Sequence, residues 1–113
     1  MADTLKVLGQ IALASAGAEQ QLYKVPAATS TTISSIVVAN RGSTDRTFVI
    51  GIDVGDDNGA GSETKDFLYK DVTVLANDTF IATVGLTLAA TDSLNVTGSH
   101  TDLTFSAFGV EVT

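Results

Sequence analysis

Arg46-Thr47-Phe48-Val49-Ile50-Gly51-Ile52-Asp53-Val54 is the stretch that decides the fold. Its apolar residues of one parity are Phe48, Ile50, Ile52 and Val54. An apolar residue at every second position predicts a β-strand that buries one of its faces. Upstream, residues 31–39 are rich in β-branched side chains and lack the spacing of an amphipathic helix, so they predict a second strand. The turn-forming residues 40–45 lie between the two strands, and we therefore predict a hairpin.

Similar strand patterns occur downstream, separated by turn-forming residues, in segments 68–74, 80–88, 94–96 and 103–112. Gly85 interrupts one segment and is typical of a bulge or a bend. In the last segment the apolar parity changes between Ala107 and Phe108, which predicts a strand that bends or passes into the other layer. About eight strands without a convincing helix predict an all-β fold, an antiparallel, jelly-roll-like β-sandwich, with a small barrel as the alternative.

Composition limits the classes of function. The chain has 113 residues, which fits one domain spanning residues 1–113. It contains no cysteine, so disulfides and thiolate metal sites are excluded. Thirteen acidic and six basic residues give a formal charge of -7. A surface of that charge repels phosphate groups and anionic lipid, so we predict neither nucleic-acid nor membrane partners.

The first 18 residues are apolar yet weakly patterned. We expect one edge strand there, followed by a connection, and we expect this segment to contact a neighbouring subunit. The candidate contact residues are Leu5, Val7, Leu8 and Ile11. The segment resembles a signal peptide only poorly, because Gly9 and Gln10 interrupt its apolar run.

An acidic loop is the candidate metal site. Its possible calcium ligands are Asp53, Asp56, Asp57, Asn58 and Glu63. The EF-hand frame fails, because aligning Gly59 with the required glycine puts Val54 at the first ligand position and Lys65 at the position of the bidentate glutamate. An irregular calcium loop stays open, but the turn-forming residues favour a solvated loop tip.

Candidates for catalysis are few. His100 and Asp102 lie close in sequence, but a catalytic triad also needs a nucleophile, and no Gly-x-Ser-x-Gly elbow is present. The two tyrosines and five phenylalanines, mostly on core parities, leave few aromatic side chains to line a sugar-binding cleft. We therefore predict a protein that is not an enzyme and needs no cofactor.

Several strand-and-turn phrases together resemble a known class of proteins. They are residues 6–10, 22–31, 36–41, 77–80, 86–92 and 103–109. Their order resembles small virion structural proteins of tailed bacteriophages, cyanophages among them, and the resemblance covers nearly the whole chain. It implies a protein that is made in the bacterial cytoplasm in many copies and is built into the virion.

The resemblance implies capsid decoration or cementing, with the major capsid protein or other virion proteins as partners and a homotrimer as the oligomeric state. A neck, tail or fibre component is the alternative within the same class. A soluble module that binds glycans or calcium through residues 53–63 is the alternative from a different class.

Overall fold

The structure is a computed structural model, which describes residues 2–56 and 66–113. The described residues form eight strands: β1 (Asp3–Ala12), β2 (Gln20–Lys24), β3 (Ser30–Asn40), β4 (Arg46–Asp53), β5 (Phe67–Val74), β6 (Thr79–Leu88), β7 (Ser93–Gly98) and β8 (Leu103–Val112). A single turn of 3-10 helix, Val54–Asp56, follows β4. Within these ranges no helix is long and apolar enough to cross a membrane.

The strands form two four-stranded sheets, with orders β1-β8-β3-β6 and β2-β7-β4-β5. The antiparallel pairs β1·β8, β2·β7, β3·β6 and β4·β5 show how this arises. The first half of the chain pairs with the second half in reverse order, as one long ribbon, and the ribbon is rolled so that its strands alternate between two layers. This topology is a jelly roll, and the predicted all-β sandwich of about eight strands is confirmed.

The core lies between the two sheets and contains side chains from all eight strands or their immediate flanks. Phe48 of β4 is its aromatic centre. The Phe48 ring lies 5.1 Å from that of Phe80, 6.2 Å from that of Phe105 and 6.4 Å from that of Tyr69, measured between centroids. Phe80 and Phe105 belong to the opposite sheet, so this cluster holds the two layers together.

The predicted hairpin of β3 and β4 is wrong. Strand β3 pairs with β6 and β8, whereas β4 pairs with β5 and β7 in the other sheet. The turn instead carries the chain across the core. The Asn40 side chain fixes the crossing, because its Nδ2 donates to the carbonyl of Thr44 at 2.8 Å and to that of Val74 at 3.1 Å. Turn-forming residues show that a chain reverses direction, but they do not show which sheet receives the next strand.

Of the two alternatives predicted for the last strand, a bend or a passage into the other layer, the passage is wrong. Strand β8 stays in one sheet, and Leu103, Phe105, Ala107 and Gly109 are all buried on its inner face. Its neighbours are irregular instead: β1 has an extra residue between Val7 and Gly9, and β3 has one between Ile33 and Ser35. Because the alternation of β8 continues unbroken from Ala107 to Gly109, Phe108 points outwards, away from the core, although it is apolar.

The alternation predicted for β4 holds for only part of its length. Phe48 and Ile50 are buried, and Ile52 is partly buried against the core. Val54 does not share their face, because β4 ends at Asp53 and Val54 begins the 3-10 turn, where it is exposed. Gly85, by contrast, does mark a bulge, since β6 has an extra residue between the partners of Ile33 and Ser35.

A polar link joins the edge strand β2 to the opposite sheet. The Tyr23 hydroxyl donates to Oε2 of Glu111 at 2.5 Å and lies 2.7 Å from the hydroxyl oxygen of Thr31. Nζ of Lys6 lies 3.2 Å from Oε1 of the same carboxylate. The hydrogen bond from Tyr23, together with Lys6, lowers the pKa of Glu111, whereas burial and the adjacent carboxylate raise the pKa of Tyr23 to about 12.

We expect Glu111→Gln to cost about 1 kcal/mol of unfolding free energy at pH 7, because it removes the charged acceptor of this link. The folded-state pKa of Glu111 is lowered, so its contribution is present above the ordinary glutamate pKa of 4.5 and is lost as the pH falls through the folded-state value. Urea unfolding of both proteins from pH 7 down to pH 3 should therefore show two converging stability curves. Tyr23→Phe is the control, and it should remove most of the difference between the glutamate and glutamine forms. A gap that stays constant down to pH 3 would contradict the proposed linkage.

Candidate interaction surface

The outer face of the sheet β1-β8-β3-β6 has an unusual composition. Because side chains alternate along each strand, the residues between the buried ones point outwards, and cross-strand partners share a face. The register places Leu5 beside Val110, and Val7 beside Phe108. It also places Val37 between Ser106 and Ile81. Outward cross-strand partners form rows across the four strands, and the four central rows pass through Val110, Phe108, Ser106 and Thr104 of β8. Their outward residues are Leu5, Val7, Gln10, Ala12, Thr32, Ser35, Val37, Ala39, Thr79, Ile81, Thr83, Thr87, Thr104, Ser106, Phe108 and Val110. We call this surface the uncharged face.

Charge is almost absent from these strands. Of the thirteen acidic and six basic residues in the chain, only Asp3, Lys6 and Glu111 lie in β1, β3, β6 or β8. Lys6 and Glu111 lie on the inward side of the sheet and pair with each other. Asp3 alone is outward, and it lies in the row at the margin, opposite Val112. A chain with a formal charge of -7 thus has one broad face that carries hydroxyl groups and apolar side chains instead.

The predicted contact residues of the N-terminal segment divide into two pairs. Leu5 is 80% exposed and Val7 is 49% exposed, and both belong to the uncharged face. Leu8 and Ile11 instead pack against the core. The change of side follows from the extra residue between Val7 and Gly9, which shifts the alternation of β1. Only Leu5 and Val7 are therefore available to a neighbour.

The edge of β1 is poorly suited to pairing with another strand. The irregularity between Val7 and Gly9 interrupts its hydrogen-bonding ladder, and the inward-pointing Lys6 adds a charge beside the edge. Bulges and inward-pointing charges are devices by which natural sheets block edge-to-edge association. The segment therefore offers its outward face to a partner more readily than its edge.

Only some of the candidate calcium ligands lie among the described residues. Asp57, Asn58 and Glu63 lie outside the described residues, and so does the side chain of Asp56. Asp53 is 1% exposed and lies opposite Ser93 at the end of β4, so it belongs to the interior of the domain. Among the described residues no group of three or more acidic or histidine side chains is placed to hold a metal ion.

His100 and Asp102 hold a turn together. Nδ1 of His100 lies 3.2 Å from Oδ2 of Asp102 and 3.1 Å from the backbone nitrogen of the same residue. Nη2 of Arg46 lies 3.4 Å from that carboxylate, which ties the turn between β7 and β8 to the start of β4. These contacts give His100 and Asp102 a structural role in the turn.

An apolar cleft opens where β4 and β5 approach the end of β6. It has a volume of about 460 Å3, and Ile52, Val54, Leu68 and Leu88 contribute to its lining. Asp92 also borders it, but this carboxylate already accepts hydrogen bonds from the backbone nitrogens of Gly55 and Ala89, at 2.8 and 2.9 Å. Asp92 is thus a structural residue of the loop, and we assign no chemistry to the cleft.

Comparison with known proteins gives a likeness at the level of the fold. No protein-family model matches the chain, and no curated protein matches it. A chain in the structure of the Gx strain of infectious bursal disease virus aligns with a TM-score of 0.55 and 16% identity, over 97% of this chain and 32% of that one. A chain in the crystal structure of the T13 particle of infectious bursal disease virus aligns with a TM-score of 0.55 and 13% identity, over 96% of this chain and 30% of that one.

The protein therefore spans about a third of the length of the viral chains that it resembles. Identities of 13% and 16% show a common architecture and no more, but that architecture extends over almost the whole of this chain. The alignment agrees with the paired-ribbon topology, which is the arrangement found in many capsid domains as well as in lectins.

Proposed function

We propose that this protein is a virion structural protein of a tailed bacteriophage, a capsid decoration or cement protein that stabilises the head through protein–protein contacts. The observation that carries the proposal is the uncharged face on an otherwise acidic jelly roll. The likeness to chains of a virus particle supports it at the level of the fold. The sequence resemblance to phage virion proteins supports the assignment to a phage.

The fold by itself would not assign this role, because jelly rolls occur in lectins as well as in capsids. Sugar-binding sites are generally concave and often contain exposed aromatic rings. The uncharged face is instead a broad sheet surface on which Phe108 is the only aromatic residue. Such a surface suits contact with another protein surface of similar size, such as a neighbouring subunit or the major capsid protein.

The location of the protein on the particle tests the proposal. We expect purified phage particles to contain the protein in hundreds of copies, visible on the head by cryo-electron microscopy. A dozen copies at the neck or tail would instead identify the alternative within the same class. Absence from washed particles, measured by quantitative mass spectrometry, would overturn a structural role in the virion.

Cementing also has a functional consequence. Particles assembled without the protein should release their DNA at a lower temperature than complete particles, because a protein that binds only the intact shell stabilises it. Addition of the purified protein should restore the release temperature. A variant that lacks residues 2–12 would not be a suitable negative control for the restoration experiment. The deletion would remove β1 from the sheet together with the core contacts of Leu8 and Ile11. If particles with and without the protein release DNA at the same temperature, the cementing role is wrong even where the protein is bound.

A further inference from the structure

The uncharged face fits a second copy of this chain better than it fits a charged partner. Each copy carries a formal charge of -7, so two copies repel each other on most approaches. The four central rows of the uncharged face contain no charged side chain, and the only outward charge of the sheet, Asp3, lies in a row at the margin. A surface that recognises a charged partner would be expected to carry complementary charges, and this one carries none.

The chemistry of the face is complementary to itself. A serine or threonine hydroxyl both donates and accepts a hydrogen bond, so a face of hydroxyls can bond to an identical face. Apolar side chains lie at both sides of it: Leu5 and Val7 on the edge strand β1, and Ile81, which is 63% exposed, on the opposite edge strand β6. When a two-fold axis relates two copies, the apolar side chains of one face can pack against the apolar side chains of the other.

The size of the face is sufficient for a weak, specific pair. Four strands at about 4.8 Å spacing, over roughly nine residues of about 3.4 Å rise, give a surface of about 600 Å2 per copy. Specific interfaces bury about 800 Å2 per partner, and weak ones less. Pairing through either edge of this sheet is disfavoured, because β1 is irregular between Val7 and Gly9 and β6 is irregular between Thr83 and Leu86. Packing of face against face avoids both irregular edges.

We propose that two copies of this chain pack against each other through their uncharged faces, with Leu5 and Val7 at the contact. The inference rests on the proposed structural role for its biological meaning, but it concerns the isolated protein. A face-to-face pair of this size should dissociate at micromolar concentrations, on the order of 1–100 µM. The trimer that the sequence resemblance implies stays a prediction about the particle.

Sedimentation equilibrium of the purified full-length protein tests the proposal. The wild type should approach twice the chain mass of 11.6 kDa as its concentration rises. Leu5→Glu places a carboxylate within the face of each copy and should raise the dissociation constant at least about tenfold. Ile81→Glu, on the other side of the face, should act in the same way. Leu75→Glu is the matched control, because Leu75 is 56% exposed but lies after β5, outside the face, and it should leave the dissociation constant unchanged.

The salt dependence of the association is an independent test of the proposed pair. Between about 0.05 and 0.5 M NaCl the association should hold or tighten, because salt screens the repulsion between two acidic copies. A monomer at all concentrations up to about 1 mM would overturn the proposal. So would a Leu75→Glu protein that dissociates as readily as Leu5→Glu, or an association that salt weakens tenfold. A purified monomer that is still found on particles would refute the face-to-face pair and leave the virion role intact.

Discussion

Phe48→Ala should lower the free energy of unfolding by about 3–5 kcal/mol, which is the usual cost of truncating a buried phenylalanine. Phe48 is 1% exposed, and its ring contacts aromatic side chains of both sheets. Removing the ring would leave a cavity between the layers and would break contacts on both sides of the core. Domains of this size are stable by only about 5–15 kcal/mol, so a large share of the stability would be lost. Urea denaturation followed by far-UV circular dichroism measures the change.

The matched control is Phe108→Ala. Phe108 is also a strand phenylalanine, but it points away from the core, so we expect its truncation to cost less than about 1.5 kcal/mol in the isolated monomer. Equal losses from the two substitutions would show that the two rings are buried to the same extent. That outcome would contradict the assignment of Phe108 to the uncharged face.

The strands and their core were predictable because alternation has a direct physical cause. A strand with one face in the core must place an apolar residue at every second position, and Phe48 and Ile50 follow this rule. The short strand β2 has only five residues, too few for its own pattern to stand out, and its inward Tyr23 is polar at one end. Its place in the sheet depends on distant partners, β7 and Glu111, that lie more than 60 residues away in the chain.

Sheet assignment was not predictable from the turns. The residues between β3 and β4 have hairpin-like composition, yet the strands lie in different sheets, because β6 and β8 occupy both edges of β3 while β5 and β7 occupy both edges of β4. In a rolled ribbon the partner of a strand is set by symmetry about the middle of the chain, and local turn preferences contain no information about that pairing.

The uncharged face has a signal in the sequence that differs from the one predicted for a strand changing layers. The change of apolar parity at Ala107 and Phe108 is a change in which face is apolar. Up to Ala107 the apolar residues of β8 face the core; from Phe108 onwards Phe108 and Val110 face outwards, beside Val7 and Leu5. Two further signals were the long strands β3 and β6, neither of which contains a single charged residue. In a chain with a formal charge of -7, two strands of this length without charge already indicate one uncharged surface of the sheet.

Gly109→Ala should destabilise the protein by about 1–3 kcal/mol, the usual cost of overpacking a tight site. A Cβ at Gly109 would lie 2.1 Å from the carbonyl oxygen of Thr32 and 3.1 Å from Cα of Ile33. Both are backbone atoms of β3, so relief requires β3 and β8 to move apart, and no change of rotamer can supply it. The same movement would distort the rows that form the uncharged face, so the variant should also associate more weakly.

Gly85→Ala is the matched control in the same sheet. A Cβ at Gly85 would meet nothing within 4 Å, and the residue is exposed on the edge strand β6. With the backbone free of strain, alanine should be neutral or should stabilise the protein by about 0.4–1 kcal/mol, through the lower entropy of the unfolded chain. Thermal and urea unfolding of the two variants should therefore shift in opposite directions or differ by more than about 1 kcal/mol. Two equal shifts would mean that β3 and β8 do not approach as closely as the structure places them, and the spacing of the rows that carry Val7, Phe108 and Ser35 would then be wrong as well.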